Sequence, residues 1–180
     1  MIEIIQVPPD TPDALQLLSE LDTQLLSLPY PDESRHAFSV EKLLRERVTF
    51  FVTRYDNGPA GCGGIKFYPD YAEVKRMYVR PSHRRLGLGK AMLDHLAEHA
   101  RLQGIDVLRL ETGIYQVEAI GIYERYGFQR RTPFGEYKVD PMSVYFEKVL
   151  HDLTGSVDSR SEDLDSRSEV FHSRSEDFDS

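Results

Sequence analysis

At 180 residues, with 40% hydrophobic and 29% charged residues, the chain has the make-up of a soluble globular protein with room for one well-cored domain. A net charge of −8 leaves no broad basic face for duplex nucleic acid, and there is no eighteen-residue apolar run to cross a membrane, so neither is an expected partner. The single cysteine, Cys62, rules out an internal disulfide, the six histidines lack metal-ligand spacing, and the first twenty residues hold Glu3, Asp10 and Asp13 with no positive leader; the expectation is a cytoplasmic protein without a metal.

Along the chain, "IEIIQV" predicts a first strand, and Thr11 to Leu28, opened by Thr11-Pro12-Asp13, an amphipathic helix that Pro29 and Pro31 break. Ser39 caps a second short helix to Arg47. "VTFFVTRY" is β-branched and aromatic, and Asp56-Asn57-Gly58 turns it into "AGCGGIKFY". A third run, "AEVKRMYV", completes a meander of closely linked strands. From Gly87 to Gln103 the apolar positions Leu88, Met92, Leu96 and Ala100 have helical spacing. Then come "DVLRLET" as strand, Val117 to Tyr126 as helix, "FQRR" as strand, a Pro/Gly loop from Thr132 to Pro141 and "SVYFEKV" as the closing strand. This order predicts an α/β (α+β) mixed sheet with helices on its faces, contained in residues 1–150.

Residues 151–180 are different material. Three heptads, SRSEDLD, SRSEVFH and SRSEDFD, offer one apolar residue each, whereas a coiled-coil seam needs two. Three arginines stand against nine carboxylates there, −6 of the total −8. An acidic, disordered tail is expected. A function for it would rest on Leu164, Phe171 and Phe178 as contacts for a partner.

The stretch "YVRPSHRRLGLGKAMLDHL" carries the chemistry. Glycines between an apolar run and a helix expose backbone amides at the positive end of the helix dipole, and arginines add fixed charge; a phosphate group suits such a turn. The dinucleotide pattern GxGxxG fails because Met92 stands at its third glycine. A Walker A loop fails at Arg84 and Ala91. What remains is Arg84-x-x-Gly87-x-Gly89 followed by a helix, which resembles the acetyl-CoA diphosphate loop of the GNAT superfamily of N-acetyltransferases. A second stretch, "QVEAIGIYERYGF", resembles that family's N-x-x-A-x-x-L-Y-x-x-x-G-F. Ala119, Tyr123, Gly127 and Phe128 match; Gln116 and Ile122 depart from it.

The resemblance, from about Glu73 to Gln129, implies a GNAT-type sheet, mostly antiparallel, with its fourth and fifth strands splayed and acetyl-CoA as co-substrate. It implies cofactor contacts from the backbone of Met77, Tyr78 and Val79, from Arg84, Arg85, Leu86, Gly87, Leu88, Gly89 and Lys90 in the loop, and from Gln116, Ala119 and Tyr123. Tyr123, with a reference pKa of about 10, is the candidate acid for a departing thiolate. Glu73 is the candidate base, with Glu111 and water as rivals; on an unkinked strand Glu73, Lys75, Met77 and Val79 share one face. Arg35, His36, Lys75, Arg76 and Arg109 are candidate partners for an acceptor carboxylate, which would suit the primary amine of a small molecule such as an amino acid; the family resemblance does not choose among acceptors. A protein N-terminus or lysine, a CoA-binding domain without catalysis, and a homodimer all stay open. Cys62, without a paired histidine, reads as a packing residue.

Overall fold

A computed structural model describes residues 1–35 and 38–151. His36 and the heptads of the expected tail lie outside the described residues.

Seven strands form one sheet in the order β1-β2-β3-β4-β5-β7-β6. Their ranges are β1 Ile2–Gln6, β2 Thr49–Tyr55, β3 Gly58–Phe67, β4 Ala72–Val79, β5 Val107–Gly113, β6 Gln129–Arg131 and β7 Ser143–Val149. Every neighbouring pair is antiparallel except β4 with β5. The helices are α1 Pro12–Leu26, α2 Val40–Arg45, α3 Leu88–Leu102 and α4 Val117–Tyr126. The expected mixed, mostly antiparallel sheet is therefore present.

Local chemistry explains the boundaries. Pro12 occupies the first turn of α1, where its missing N–H costs nothing, and Asp13 complements the dipole. Ser39 accepts a hydrogen bond from the Lys42 amide at 3.2 Å and starts α2. Asp56 and Asn57 both take positive φ, 48° and 69°, the requirement of a tight two-residue hairpin. The chain order contains two short 3-10 turns that sequence periodicity did not reveal, Asp32–Ser34 and Pro81–His83. Each is too short to carry a repeat.

The sheet divides two apolar layers. On one face Ala14, Leu17, Leu18 and Leu21 of α1 and Leu43 of α2 pack with Phe50, Val52, Cys62 and Tyr78. On the other, Met92, Leu93, Leu96, Ala97 and Ala100 of α3 and Tyr123 of α4 pack with Phe51, Ile65, Val74, Leu108 and Phe146. The fold ends by folding back on itself: the Leu150 amide donates to the Asp106 carbonyl at 2.6 Å, and Leu150 is buried.

Two irregularities place the site. β4 and β5 pair only at Ala72 with Leu108 and Glu73 with Arg109, then separate. Beyond Glu73 the β5-facing edge of β4 has no strand partner among the described residues. Within β4, Cys62 pairs with Tyr78 but Gly64 with Lys75, so one residue of β3 faces two of β4. Arg76, at φ 55°, sits in this bulge.

Candidate active site

The bulge corrects one inference from sequence. Alternation along a straight strand groups Glu73, Lys75, Met77 and Val79 on one face. The extra residue at Arg76 reverses the parity instead: Val74 and Met77 pack toward α3, while Tyr78 packs toward α1. Glu73 and Lys75 thus face the α1 side and Met77 the α3 side. Gly63 makes room for this, since a Cβ there would stand 2.8 Å from Met77 Sδ and 3.0 Å from Met92 Cγ.

Where the strands part, a cavity of about 1060 Å³ opens. Met77 of β4, Glu111 of β5, Gln116 at the N-cap of α4 and Tyr123 within it line the cavity, as do Glu73 and Lys75. Segments 30–35 and 135–142 cover it from two sides. They meet where Ser34 Oγ donates to Asp140 Oδ1 at 3.1 Å. Tyr30 braces the β5 end, its hydroxyl accepting from the Tyr115 amide at 2.9 Å.

Next to the end of β4 stands the turn into α3. Gly87 is its N-cap at φ 82°, Arg85 has φ 64°, and the first helical bond runs from the Ala91 amide to the Gly87 carbonyl at 2.9 Å. The amides of Gly87, Leu88, Gly89 and Lys90 therefore precede the helical ladder and point out of the helix end. No atom lies within 4 Å of the place a Gly87 Cβ would take. That open, amide-lined turn fits a diphosphate. Gly89 has a packing reason as well: its Cβ would meet Ile122 of α4 at 3.4 Å.

The arginines of this turn have different surroundings. Arg85 is exposed, as is Leu86. Arg84 ties the turn to α1 and α4: its guanidinium donates to the Val79 carbonyl at 3.3 Å, to Glu118 Oε2 at 2.5 Å and to Gln24 Oε1 at 2.8 Å. Lys90 pairs with Asp94 at 2.6 Å on the exposed face of α3.

Tyr123 is 6% exposed and has no hydrogen-bond partner for its hydroxyl among the described residues, while its ring packs edge-on to Phe128 at 5.7 Å. Burial, reinforced by the Glu111 carboxylate, pushes its pKa above the usual tyrosine value. It is thus a protonated hydroxyl on the cavity wall. Ala119 packs beside it against the α3 layer.

Glu73 is 2% exposed and fully engaged. Lys75 Nζ lies 2.7 Å from Oε1, the Tyr137 hydroxyl donates to Oε1 at 2.6 Å, and the Tyr68 hydroxyl donates to Oε2 at 3.4 Å. Lys75 also donates to the Tyr137 hydroxyl at 2.9 Å, and burial followed by the Glu73 charge pushes the Tyr137 pKa up. Glu111 is half-buried on the opposite wall and accepts from Ser143 Oγ at 2.6 Å.

Of the cations nominated for an acceptor carboxylate, most have other work. Arg35 donates to the Leu25 and Leu28 carbonyls and closes the end of α1. Arg76 pairs with Asp22 at 2.6 Å. Arg109 pairs with Glu147 at 2.6 Å, stacks over Tyr71, and is absent from the cavity wall. Among the described candidates, Lys75 stands in the cavity beside a candidate catalytic group, Glu73. Cys62 is buried with its thiol pushed up to about 12 by burial, in keeping with a packing residue. Sequence reasoning did not bring Tyr68, Tyr137, Lys42 and Lys66 to the cavity; the one available signal was the pair of aromatics, Phe134 and Tyr137, in the loop from Thr132 to Pro141.

Comparison with known proteins agrees with this geometry. The model of the acetyltransferase (GNAT) family matches residues 15–128. An IAA acetyltransferase of Azospirillum brasilense is 41% identical over 138 residues, which are 76% of this chain and 90% of that protein. The [ribosomal protein bS18]-alanine N-acetyltransferase of Escherichia coli is 32% identical over 66% of this chain and 84% of its own length. Among solved structures, a provisionally named acyl-CoA N-acyltransferase of Klebsiella pneumoniae superposes with a TM-score of 0.71 at 35% identity, covering 84% of this chain and 99% of that one. The PaiA N-acetyltransferase of Thermoplasma acidophilum in complex with coenzyme A shares the fold, with a TM-score of 0.67 at 22% identity over 83% and 99% of the two chains.

The chain belongs to the GNAT acetyltransferase family. It is an acyl-CoA-dependent N-acyltransferase.

Proposed function

We propose that the chain moves an acetyl group from acetyl-CoA directly to the primary amine of a small molecule, an amino acid or similar metabolite. The observation that carries this reading is the roofed cavity at the β4/β5 splay, with Met77 and Tyr123 on its wall and the amide-lined α3 turn following the end of β4.

Each residue then has a task. The Gly87–Lys90 amides hold the diphosphate, and the unpaired edge of β4 at Met77, Tyr78 and Val79 holds the pantetheine arm and polarises the thioester carbonyl. Gln116 and Ala119 flank that arm. Acetyl-CoA supplies an electrophilic thioester carbon: the amine nitrogen bonds to it and the carbon–sulfur bond breaks. Tyr123 gives its proton to the leaving sulfur, which its raised pKa permits throughout the neutral range.

The amine must first lose a proton. Of the two carboxylates, the geometry favours Glu111 over Glu73. Protonating Glu73 would break its pair with Lys75, whereas Glu111 lies half-buried on the same cavity and its charge is already felt at Tyr123. Glu73 then serves to hold Lys75 and Tyr137 in place.

A polypeptide N-terminus is the second reading, favoured by the relative whose name specifies an alanine of a ribosomal protein. Thiol release from acetyl-CoA, measured against a panel of amines, amino acids and short peptides, separates the two. Turnover with small amines supports the first reading. Turnover confined to peptides replaces it with the second.

A further inference from the structure

Three lysines gather at the α2 end of the cavity. Lys66 Nζ lies 2.6 Å from Glu46 Oε2, and Lys42 Nζ lies 3.8 Å from Glu46 Oε1. Lys42 and Lys75 both stand over the Phe38 ring, at 4.4 and 4.5 Å from its centre, and Lys66 stands over Tyr68 at 4.8 Å. All of these residues line the cavity.

The charge count there is uneven. Lys75 is matched by Glu73, which leaves Lys42 and Lys66 to share the single carboxylate of Glu46. Lys66 takes the short contact. Among the described residues Lys42 has the long contact alone, and its ammonium, on a side chain 39% exposed, is held over an aromatic face at the cavity wall. Of the neighbouring ions, Asp22 is paired with Arg76, and Arg35 lies on main-chain carbonyls and Asp32; Glu33, Glu111, Glu136 and Asp140 also line the cavity, so the surplus is local to the three lysines around Glu46. A partly exposed ammonium with a distant counter-ion, held over an aromatic ring on the wall of a polar cavity, has hydrogen bonds to offer an anionic ligand.

We infer that the acceptor is an amine carrying a carboxylate, whose carboxylate is bound by Lys42 with Lys66 beside it and whose carbon skeleton lies against Phe38 and Tyr68. This rests on the small-molecule reading above and names the class of molecule it takes. Glu46 acts as a fixed competitor that orders the two lysines. Lys42 and Lys66 are therefore specificity residues, not catalytic ones.

The test uses the full chain, acetyl-CoA and matched acceptors: amino acids, their amides, and the corresponding decarboxylated amines. Wild type should prefer the carboxylate form by roughly tenfold or more in kcat/KM, the size of one charge-assisted contact. Lys42→Met keeps the aliphatic stem over Phe38 but removes the charge; it should raise KM for the carboxylate form by a similar factor, leave kcat within about twofold, and leave the amide unaffected. Glu46→Gln should change KM in the opposite direction, which a general packing defect would not do. Equal use of all three forms by wild type, or equal effects of Lys42→Met on carboxylate and amide, overturns the inference while sparing the function. Failure of every small amine sinks the function and the inference together.

Discussion

Tyr123 is a hydroxyl buried in an apolar layer, with a carboxylate rather than a cation for its charged neighbour. Both features penalise the phenolate, so the group keeps its proton well beyond the usual tyrosine range. The raised pKa keeps a proton on Tyr123 at neutral pH, where it can be given to the leaving sulfur, and at the same time makes the hydroxyl the weaker acid of the pair. Tyr123→Phe should therefore lower kcat by about a hundredfold, the lower end of what a positioned acid contributes. Coenzyme affinity should stay within about twofold by calorimetry, because the ring remains. Wild-type turnover in that variant would move the acid elsewhere. Tyr123 was readable from its motif because it sits in a short run of residues with fixed spacing. Glu73's partners were not: Tyr137 and Tyr68 lie 64 and 5 residues from it in sequence, and a buried carboxylate gives no sign of which hydroxyls or ammonium will satisfy it.

The turn and the strand that flank the cleft show how elements control the site. Gly87 takes φ 82° with open space where a side chain would project, so a substitution meets no clash and only backbone strain. Gly87→Ala should cost about 1–2 kcal/mol, the left-handed penalty of an L-residue, and lower Tm by a few degrees for a chain of this size. Gly89→Ala adds an ordinary contact to Ile122 and should melt close to wild type. Thermal melts of the two variants side by side check this; equal losses would mean that the turn has no need of its left-handed residue. Strand β4 was visible as a strand from its β-branched and apolar pattern. Its bulge was not, because a bulge is a mismatch between two paired strands and β4 alone holds no record of how Gly63 and Met77 compete for space. Arg84 belongs to the same class: the motif placed it in the loop, and only the approach of α1 and α4 tied its guanidinium to Gln24 and Glu118.

At the level of the whole molecule, the two layers around the sheet are sealed on the α3 side by His95 and His99. Their rings pack edge-on to Phe51 at 4.6 and 5.3 Å, and His99 also lies 5.7 Å from Phe67. Burial lowers the pKa of both, and for His95 the neighbouring His99 lowers it further. The native state thus binds fewer protons than the unfolded chain just below pH 6.5. Stability is full above that pH and falls as pH drops from 6.5 toward the lowered native values. Melts at pH 7.5, 6.5 and 5.5 should show a falling Tm, and His95→Leu/His99→Leu should flatten that slope; identical slopes in the two proteins would refute the linkage. Among the described residues no helix is long and apolar enough to cross a membrane.

The sequence by itself determined the order of strands and helices, the tight Asp56-Asn57 turn, the glycine turn into α3 and the motif that carries Tyr123. These are local properties: side-chain periodicity, dihedral preference and short motifs act over a few neighbouring residues. Only the tertiary structure decided which way β4 faces after Arg76, which partners Glu73 and Glu111 take, and which lysines line the cavity. Those depend on distances between segments far apart in the chain, and electrostatics and packing are functions of distance, not of sequence position.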